Sequence, residues 1–498
     1  MSNIRLTYSG LISFLVTIAS LFTGLIFTLI VTRRLDQTHF AMWSLIGGII
    51  AYSMAFSSIS NYWLARHIAR GEKEAVTGII SAIIFSIAAI GVYFIATLIL
   101  SNSSDVDFKI LLFAVLLVPL SYIVRGFSTI VSSYKPQGAS YIALVFEITK
   151  IPIGFLLVYI LDLGIIGAIT TAAISHIAQL IFCVIYSKER LKEQFHYGVF
   201  KSWVKLSWLP FFASLHDRII NLDSTIYTLI MGSVTGVAFV GIAKTLGNLV
   251  SNTSSLAVGL APKLLATQNI QHTELMMDRI LLFAIPTLGF TITFAKPSLW
   301  VLNPIYIDAV NLVYLWSISH FTWVIYGIFT STLESLEKID IGFKATTKEY
   351  LKSRLFIVRL VFVVGYSAYI IALTSVFMIL PKSESSMLET VFWWGAVYAA
   401  SNISILVAFS IMTAKQISFK FPAKKTVKYS VAALLACSIT YFLISQYLEY
   451  EESIFVFGPN LIPYMLLFGG LYFGVLMLWD SDSRKLFQQI FLEFKNRS

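Results

Sequence analysis

Apolar runs as long as a bilayer crossing recur along nearly the whole chain. This serial pattern constrains the fold more than any other feature. A helix needs about 20 mainly apolar residues to cross a hydrocarbon core about 30 Å thick. Such runs fall near 8–32, 40–64, 76–101, 108–134, 141–161, 163–187, 205–231, 234–260, 279–302, 306–333, 355–380, 388–414, 427–447 and 460–480. Lipid offers no hydrogen-bond partners, so each run satisfies its own backbone as a helix. The expectation is an all-α integral membrane protein of about 14 transmembrane helices. Only Asp162 and its neighbours separate the fifth run from the sixth, so these two helices are antiparallel neighbours. No linker is long enough to isolate a soluble domain. Charged residues make up 12% of the 498, against about 25% in soluble domains. The first run is too long for the apolar core of a cleavable signal and has no A-x-A-type site, so it is expected to remain as helix 1.

Several chemistries are missing from the sequence. Cys183 and Cys437 both lie inside apolar runs and read as small buried side chains. There is no zinc-ligand spacing, Walker loop, GxGxxG after a strand, or Ser/His/Asp set. An ATP-driven pump and a membrane metalloenzyme are therefore unsupported. No cofactor and no metal are expected, and the chain is not read as an enzyme.

Charge gives the topology. With fourteen helices, alternate connections and the termini collect 26 Lys and Arg on one side and 5 on the other; the remaining 5 of the 36 lie inside spans. Positive residues mark the cytoplasmic side. The expected product is a multi-pass protein of the cell (cytoplasmic) membrane with both termini inside. Arg33 and Arg34 are the main exception and read either as tolerated flanking charge or as a cationic outer mouth. Glu449, Glu451 and Glu452 form an acidic outer patch.

Helices 1–6 and 7–12 echo each other at an offset near 200 residues. Thr28-Leu29-Ile30 followed by Phe40-Ala41 is matched by Thr228-Leu229-Ile230 and Phe239-Val240. Gly126 and Lys135 are matched by Gly327 and Lys338. Both halves start on the same side, so the repeat is parallel, as in transporters with a path between halves. The expected organisation is an N-lobe over 1–190, a C-lobe over 191–415, an appended helix pair over 416–480, and a tail over 481–498. Leu486, Phe487, Ile490, Phe491 and Phe494 recur at helical spacing in that tail beside Arg484, Lys485 and Lys495. This suggests an amphipathic helix on an anionic cytoplasmic leaflet. The 6–7 connection, Lys188 to Lys205, also mixes basic residues with Phe195, Tyr197, Phe200 and Trp203.

Ionisable residues inside spans cost about 2.5–3.5 kcal/mol at the bilayer centre and usually face the bundle interior. The cavity candidates are Arg125, Glu147, Lys150, Asp217, Arg218, Asp223, Lys244 and Arg359. Lys150, Arg218 and Arg359 are near enough to a boundary to snorkel. Glu147 and Lys150, three apart, suit a pair on one helix face. Asp217 and Arg218 are adjacent and point to different faces. Five cations against three carboxylates favour an anionic substrate such as a phosphate. His176, His216 and His320 read as hydrogen-bonded packing residues or as proton relays. Pro119, Pro152, Pro210, Pro262 and Pro286 mark places where helices bend.

The order and spacing of several elements resemble the polysaccharide-export flippases of the MOP superfamily, the multidrug/oligosaccharidyl-lipid/polysaccharide exporters. Thr32-Arg33-Arg34-Leu35 through Phe40-Ala41-Met42-Trp43 is similar to that family's link from helix 1 to helix 2, with Ala41 where Gly is usual. Leu222-Asp223 through Gly232-Ser233-Val234-Thr235-Gly236 is similar to its helix 7 to helix 8 pattern. Leu163-Gly164 with Gly167-Ala168, Pro262-Lys263-Leu264, and Pro304-Ile305-Tyr306 with Ala309 resemble the start of helix 6, the end of helix 8 and the start of helix 10. The usual Gly before that last Tyr segment is Asn303 or Pro304 here. The likeness spans most of 1–415. It implies two pseudo-symmetric six-helix lobes with two extra helices, and alternating-access movement of a lipid-linked sugar. Asp223 is the span charge carried over by motif.

The function expected is therefore a flippase moving a polyprenyl-phosphate or pyrophosphate-linked sugar from the cytoplasmic to the outer leaflet, for surface polysaccharide or glycan assembly. A multidrug or cation antiporter of the same fold is the alternative. It would want carboxylates in helix 1, which has no ionisable residue between Arg5 and Arg33. A glycosyltransferase or polymerase would need a long outer loop bearing catalytic groups, and the outer loops are short. Expected partners are a lipid-linked anionic glycan, the bilayer, and H+ or Na+ as coupling ion. Nucleic acid is not expected. The chain is expected to act as a monomer, alone or beside a glycan polymerase or glycosyltransferase.

Overall fold

The structure is a computed structural model that describes residues 19, 23–69, 72–103, 106–134, 137–205, 207–257, 260–261, 264, 268–339, 347–381, 387–482 and 484. Among these residues the regular elements are all helical. In chain order the principal helices are α1 (23–34), α2 (Gln37–Ser53), α3 (Ser57–Ala69), α4 (Ala75–Ser103), α5 (Phe108–Ala114), α6 (Leu117–Tyr134), α7 (Gln137–Gly154) and α8 (Gly164–Tyr186). There follow α9 (Tyr197–Lys205), α10 (Trp208–Ile220), α11 (Asp223–Met231), α12 (Thr235–Ser251), α13 (Gln271–Thr293), α14 (Ala295–Leu302) and α15 (Val310–Ser335). The last four are α16 (Arg354–Ile379), α17 (Met387–Gln416), α18 (Ala423–Tyr447) and α19 (Ile454–Trp479).

Eleven helical stretches among the described residues are long and apolar enough to cross a membrane. They match the second to sixth and the ninth to fourteenth expected runs. The other three runs differ for local reasons. Most of the first run before Thr23 lies outside the described residues. The seventh run was expected to be continuous but is broken: α10 ends at Ile220 and α11 begins at Asp223. Asn221 caps the first segment, its backbone N–H donating to Ile219 O rather than continuing the ladder. The eighth run is the 17-residue α12, which passes into a 3-10 turn, Asn252–Ala257. The amphipathic tail helix, Lys135, Pro262 and Lys263 also lie outside the described residues.

The chain divides into two compact units, one formed by 1–241 and 339–401, the other by 242–338 and 402–498. In the first unit the outward faces are apolar, as lipid requires. Ile87 on α4 is 66% exposed and Ile379 at the end of α16 is 81% exposed. Polar side chains turn inward and are satisfied there. Tyr122 OH donates to Ser53 O at 2.8 Å, and Tyr93 OH to Leu111 O at 3.2 Å. Pro152 cannot donate a backbone N–H to the turn before it, and three residues later α7 widens into a π-helical turn, Phe155–Ile160. Gly232 ends α11 with φ +70°, a left-handed conformation that favours glycine.

In the second unit α18 and α19 are fastened to α13 by polar contacts. Asp278 accepts from Lys425 Nζ at 2.8 Å and from Tyr429 OH at 2.9 Å. Lys425 also pairs with Asp482 at 3.1 Å, and Lys428 with Asp480 at 3.1 Å. Tyr472 OH donates to Leu282 O at 2.7 Å. Thr273 and Thr332 join α13 to α15 at 3.1 Å, and Tyr326 OH donates to Asn402 at 3.0 Å. In hydrocarbon such hydrogen bonds and close packing take the place of a hydrophobic drive between helices.

Candidate functional site

Seven of the eight cavity candidates fall in the first unit. Six of them form three separate groups, with Arg359 apart, and two, Arg125 and Arg218, carry cations without full compensation. Arg125 lies midway along α6. Its side chain is exposed, and among the described residues its guanidinium has no ion pair or hydrogen bond. Arg218 lies near the end of α10 and donates through Nη1 to Ala51 O at the end of α2. Its Nε is buried without an acceptor. The charges of Arg125 and Asp217 and the hydroxyl of Tyr122 all act on Arg218. An unmet buried donor costs about 1–3 kcal/mol, so this corner suits an arriving anion. Asp217 is mostly exposed and approaches His216 Nε2 at 3.2 Å. His216 itself is stacked on Phe362, ring centroids 4.7 Å apart.

The second group is closed. Lys150 Nζ meets Glu147 Oε2 at 2.7 Å, which also accepts from Thr23 Oγ1 at 2.7 Å. Lys150 Nζ lies 5.0 Å from the Phe146 ring centre and 5.4 Å from that of Phe27. Both charges are matched, so this cluster ties α7 to α1.

The third group surrounds Asp223, the first residue of α11 and only 1% exposed. Oδ1 accepts from the Ser224 backbone N–H at 2.6 Å and from its hydroxyl at 3.1 Å. Oδ2 accepts from Tyr369 OH and from Trp394 Nε1, each at 3.3 Å. Trp394 Nε1 also donates to Tyr369 Oη at 2.9 Å. A carboxylate on the first turn of a helix gains from the macrodipole. The break in the seventh run therefore presents a helix N-terminus to this buried acid. Tyr369 and Trp394 were not foreseen. Nothing distinguishes an aromatic hydrogen-bond donor from a lipid-facing ring within an apolar run.

Arg359 lies half-buried near the start of α16. Lys244, the eighth candidate, belongs to the second unit, with Nζ 5.8 Å from the Trp316 ring centre. Nearby His320 Nδ1 sits where a Cβ on Gly247 would come within 2.9 Å. His176 contacts Gln179 at 2.9 Å, which in turn donates to Ile142 O at 3.1 Å; this is a packing link between α8 and α7. Among the described residues no group of three or more His, Cys, Asp or Glu is arranged to hold a metal ion.

In sequence, neither a family model nor a curated protein matches the chain. In structure it is similar to MurJ, a lipid II flippase in an inward closed conformation, with TM-score 0.67 and 14% identity over 96% of this chain and 99% of that one. It is also similar to an inward-facing multidrug-resistance MATE-family transporter of the MOP superfamily, with TM-score 0.57 and 13% identity over 82% and 100%. The bent form of the Vibrio cholerae MATE transporter VcmN matches with TM-score 0.52 and 15% identity over 82% and 98%. At these identities the likeness is one of fold. The chain is a multi-pass α-helical membrane protein with the fold of MOP-superfamily transporters.

Proposed function

We propose that this protein is a flippase for a lipid-linked, anionic sugar, moving a polyprenyl-phosphate or pyrophosphate-linked sugar or oligosaccharide from the cytoplasmic to the outer leaflet by alternating access. The observation that carries this reading is the pair Arg125 and Arg218: an exposed guanidinium in mid-span without a partner among the described residues, close to a second whose Nε is buried without an acceptor among them. Arginine binds phosphate oxygens through paired N–H donors. The lipid tail stays in the bilayer while the head group crosses. No bond is made or broken, so no catalytic residue is invoked.

The fold shared with a lipid II flippase supports the same reading. The fold shared with multidrug transporters supports the alternative, an antiporter for drugs or cations. The cationic corner counts against it, since a cationic cargo wants surplus carboxylate. Asp223 is proposed as the group through which H+ or Na+ couples to transport. The excess of Lys and Arg on one face supports placement in the cell membrane with both termini inside.

The test is reconstitution in liposomes with a fluorescent polyprenyl-pyrophosphoryl sugar, leaflet position read by quencher access. Translocation faster than in empty liposomes is expected, with Arg125→Gln and Arg218→Gln slowing it at normal expression. Export of a lipophilic cation with no sugar-lipid translocation would replace this reading with the antiporter.

A further inference from the structure

We infer that the segment joining α8 to α10 is a lipid-binding clasp that holds the first unit to the headgroups of anionic phospholipids. The segment around α9 has two dissimilar faces. One is anchored in protein. Trp203 is 1% exposed and packs with Leu64, Ile68, Ala75 and Ile130, and its ring meets His67 edge-on at 5.6 Å. Hydrogen bonds fix the approach to α9: His196 N–H donates to Thr77 Oγ1 at 3.0 Å, and Ala75 N–H donates to Glu193 Oε2 at 2.7 Å.

Among the described residues the other face is left largely uncovered. Tyr197 is 66% exposed and Val204 43%. At helical spacing they lie on one stripe, with Lys201 and Lys205 beside it, both exposed. Neither lysine has a partner among the described residues. Phe195 (37% exposed) and Lys192 extend the same character just before the helix. Between 188 and 205 the chain carries five Lys and Arg against two Glu, and one of those carboxylates, Glu193, is already engaged by Arg190 at 3.0 Å.

The occupant follows from position and charge. The segment leaves one membrane-spanning helix, α8, and is followed by the broken seventh run, so it lies at headgroup depth. Aromatic rings seat at that depth while lysines reach the phosphates. Each basic residue near an anionic surface strengthens the attraction, and salt weakens it. A soluble protein partner would leave Tyr197 in an aqueous or protein-covered environment, and the experiment separates the two.

The experiment uses the full chain in nanodiscs and does not depend on its orientation or cargo. An environment-sensitive fluorophore is placed at Tyr197→Cys in a Cys183→Ala, Cys437→Ala background. Discs of pure phosphatidylcholine are compared with discs containing 30% phosphatidylglycerol, each doped with headgroup-level spin-labelled lipid. Quenching at least twofold stronger in the anionic discs is expected, with the difference abolished by Lys192→Gln/Lys201→Gln/Lys205→Gln or by 0.5 M salt. A second probe at Val204→Cys, on the same stripe, reports the same trend if the first variant folds poorly. Equal quenching in the two lipids, or no quenching at either probe, overturns the proposal; an increase of probe polarity on adding lipid does so as well.

Discussion

Removing the carboxylate of Asp223 should cost more than removing its charge. Asp223→Ala takes the acceptor away from Tyr369 OH and Trp394 Nε1, both on fully buried rings. A buried donor left unmet costs about 1–3 kcal/mol. Trp394 Nε1 retains Tyr369 Oη at 2.9 Å, so one donor rather than two is orphaned. The vacated space also loses contacts. The sum is about 2–4 kcal/mol. Asp223→Asn keeps a carbonyl oxygen for these donors and should cost about 1 kcal/mol, mainly the charge-assisted part. Tyr369→Phe, which leaves Trp394 on the carboxylate, should cost about the same. The assay is apparent thermal stability in detergent, followed by size-exclusion chromatography with fluorescence detection. Ala is expected to fall well below both Asn and wild type. Equal stability of Ala and wild type would refute the anchoring argument. Asn as damaging as Ala would show that charge rather than hydrogen bonding is what the pocket requires. Transport separates the roles: if Asp223 couples an ion, Asn retains the fold but loses its response to an imposed gradient.

Four further outcomes are expected. Gly236→Ala places a Cβ within 2.4 Å of the Tyr227 ring and should cost about 1–3 kcal/mol by overpacking, while Gly198→Ala meets nothing within 4 Å and should be neutral in the same thermal assay. Trp203→Ala empties the cluster beneath α9 and should cost about 3–5 kcal/mol, seen as faster protease cleavage near 190–205. Asp278→Leu removes the acceptor of Lys425 and Tyr429; destabilisation should be about 1–3 kcal/mol, and smaller at high salt. Asp36 caps α2 through the His39 backbone N–H and ring, both at 2.7 Å; burial acts to raise its pKa, but these bonds hold it below the ordinary carboxylate value. Its contribution is therefore present above the unfolded pKa of about 3.9 and lost as pH falls through the lower folded value; Asp36→Ala should remove that acid-side loss, read by stability at pH 5 and pH 3.

The membrane class and most helices were readable because lipid imposes one rule on every segment: about 20 apolar residues, each satisfying its own backbone. The interruption of the seventh run was not readable. Asn221-Leu222 lies between Arg218 and Asp223, and the mean hydropathy that marks a span says nothing about the turn within it. Pro152 pointed to an irregularity in the fifth run, and the π-helical turn follows it. Among the charges, the spacing of Glu147 and Lys150 foretold their 2.7 Å pair, because helix geometry alone decides it. Charge and depth could not distinguish the exposed Arg125 from the engaged Lys150, because the difference rests on what neighbouring helices present. Tyr369 and Trp394 were invisible for the same reason: their role depends on a carboxylate 146 and 171 residues earlier.

The fastening of α18 to α13 has a consequence for biosynthesis. Asp278 and Lys425 are 147 residues apart. At about 5–20 residues per second, the carboxylate emerges from the ribosome about 7–30 s before its ammonium partner. During that interval Asp278, in the second turn of α13, has neither Lys425 nor Tyr429 beside it. A nascent chain stalled before Ala423 therefore lacks both of these donors to Asp278. Both donors to Asp278 come from α18, so this corner of the second unit closes only once that helix is in place.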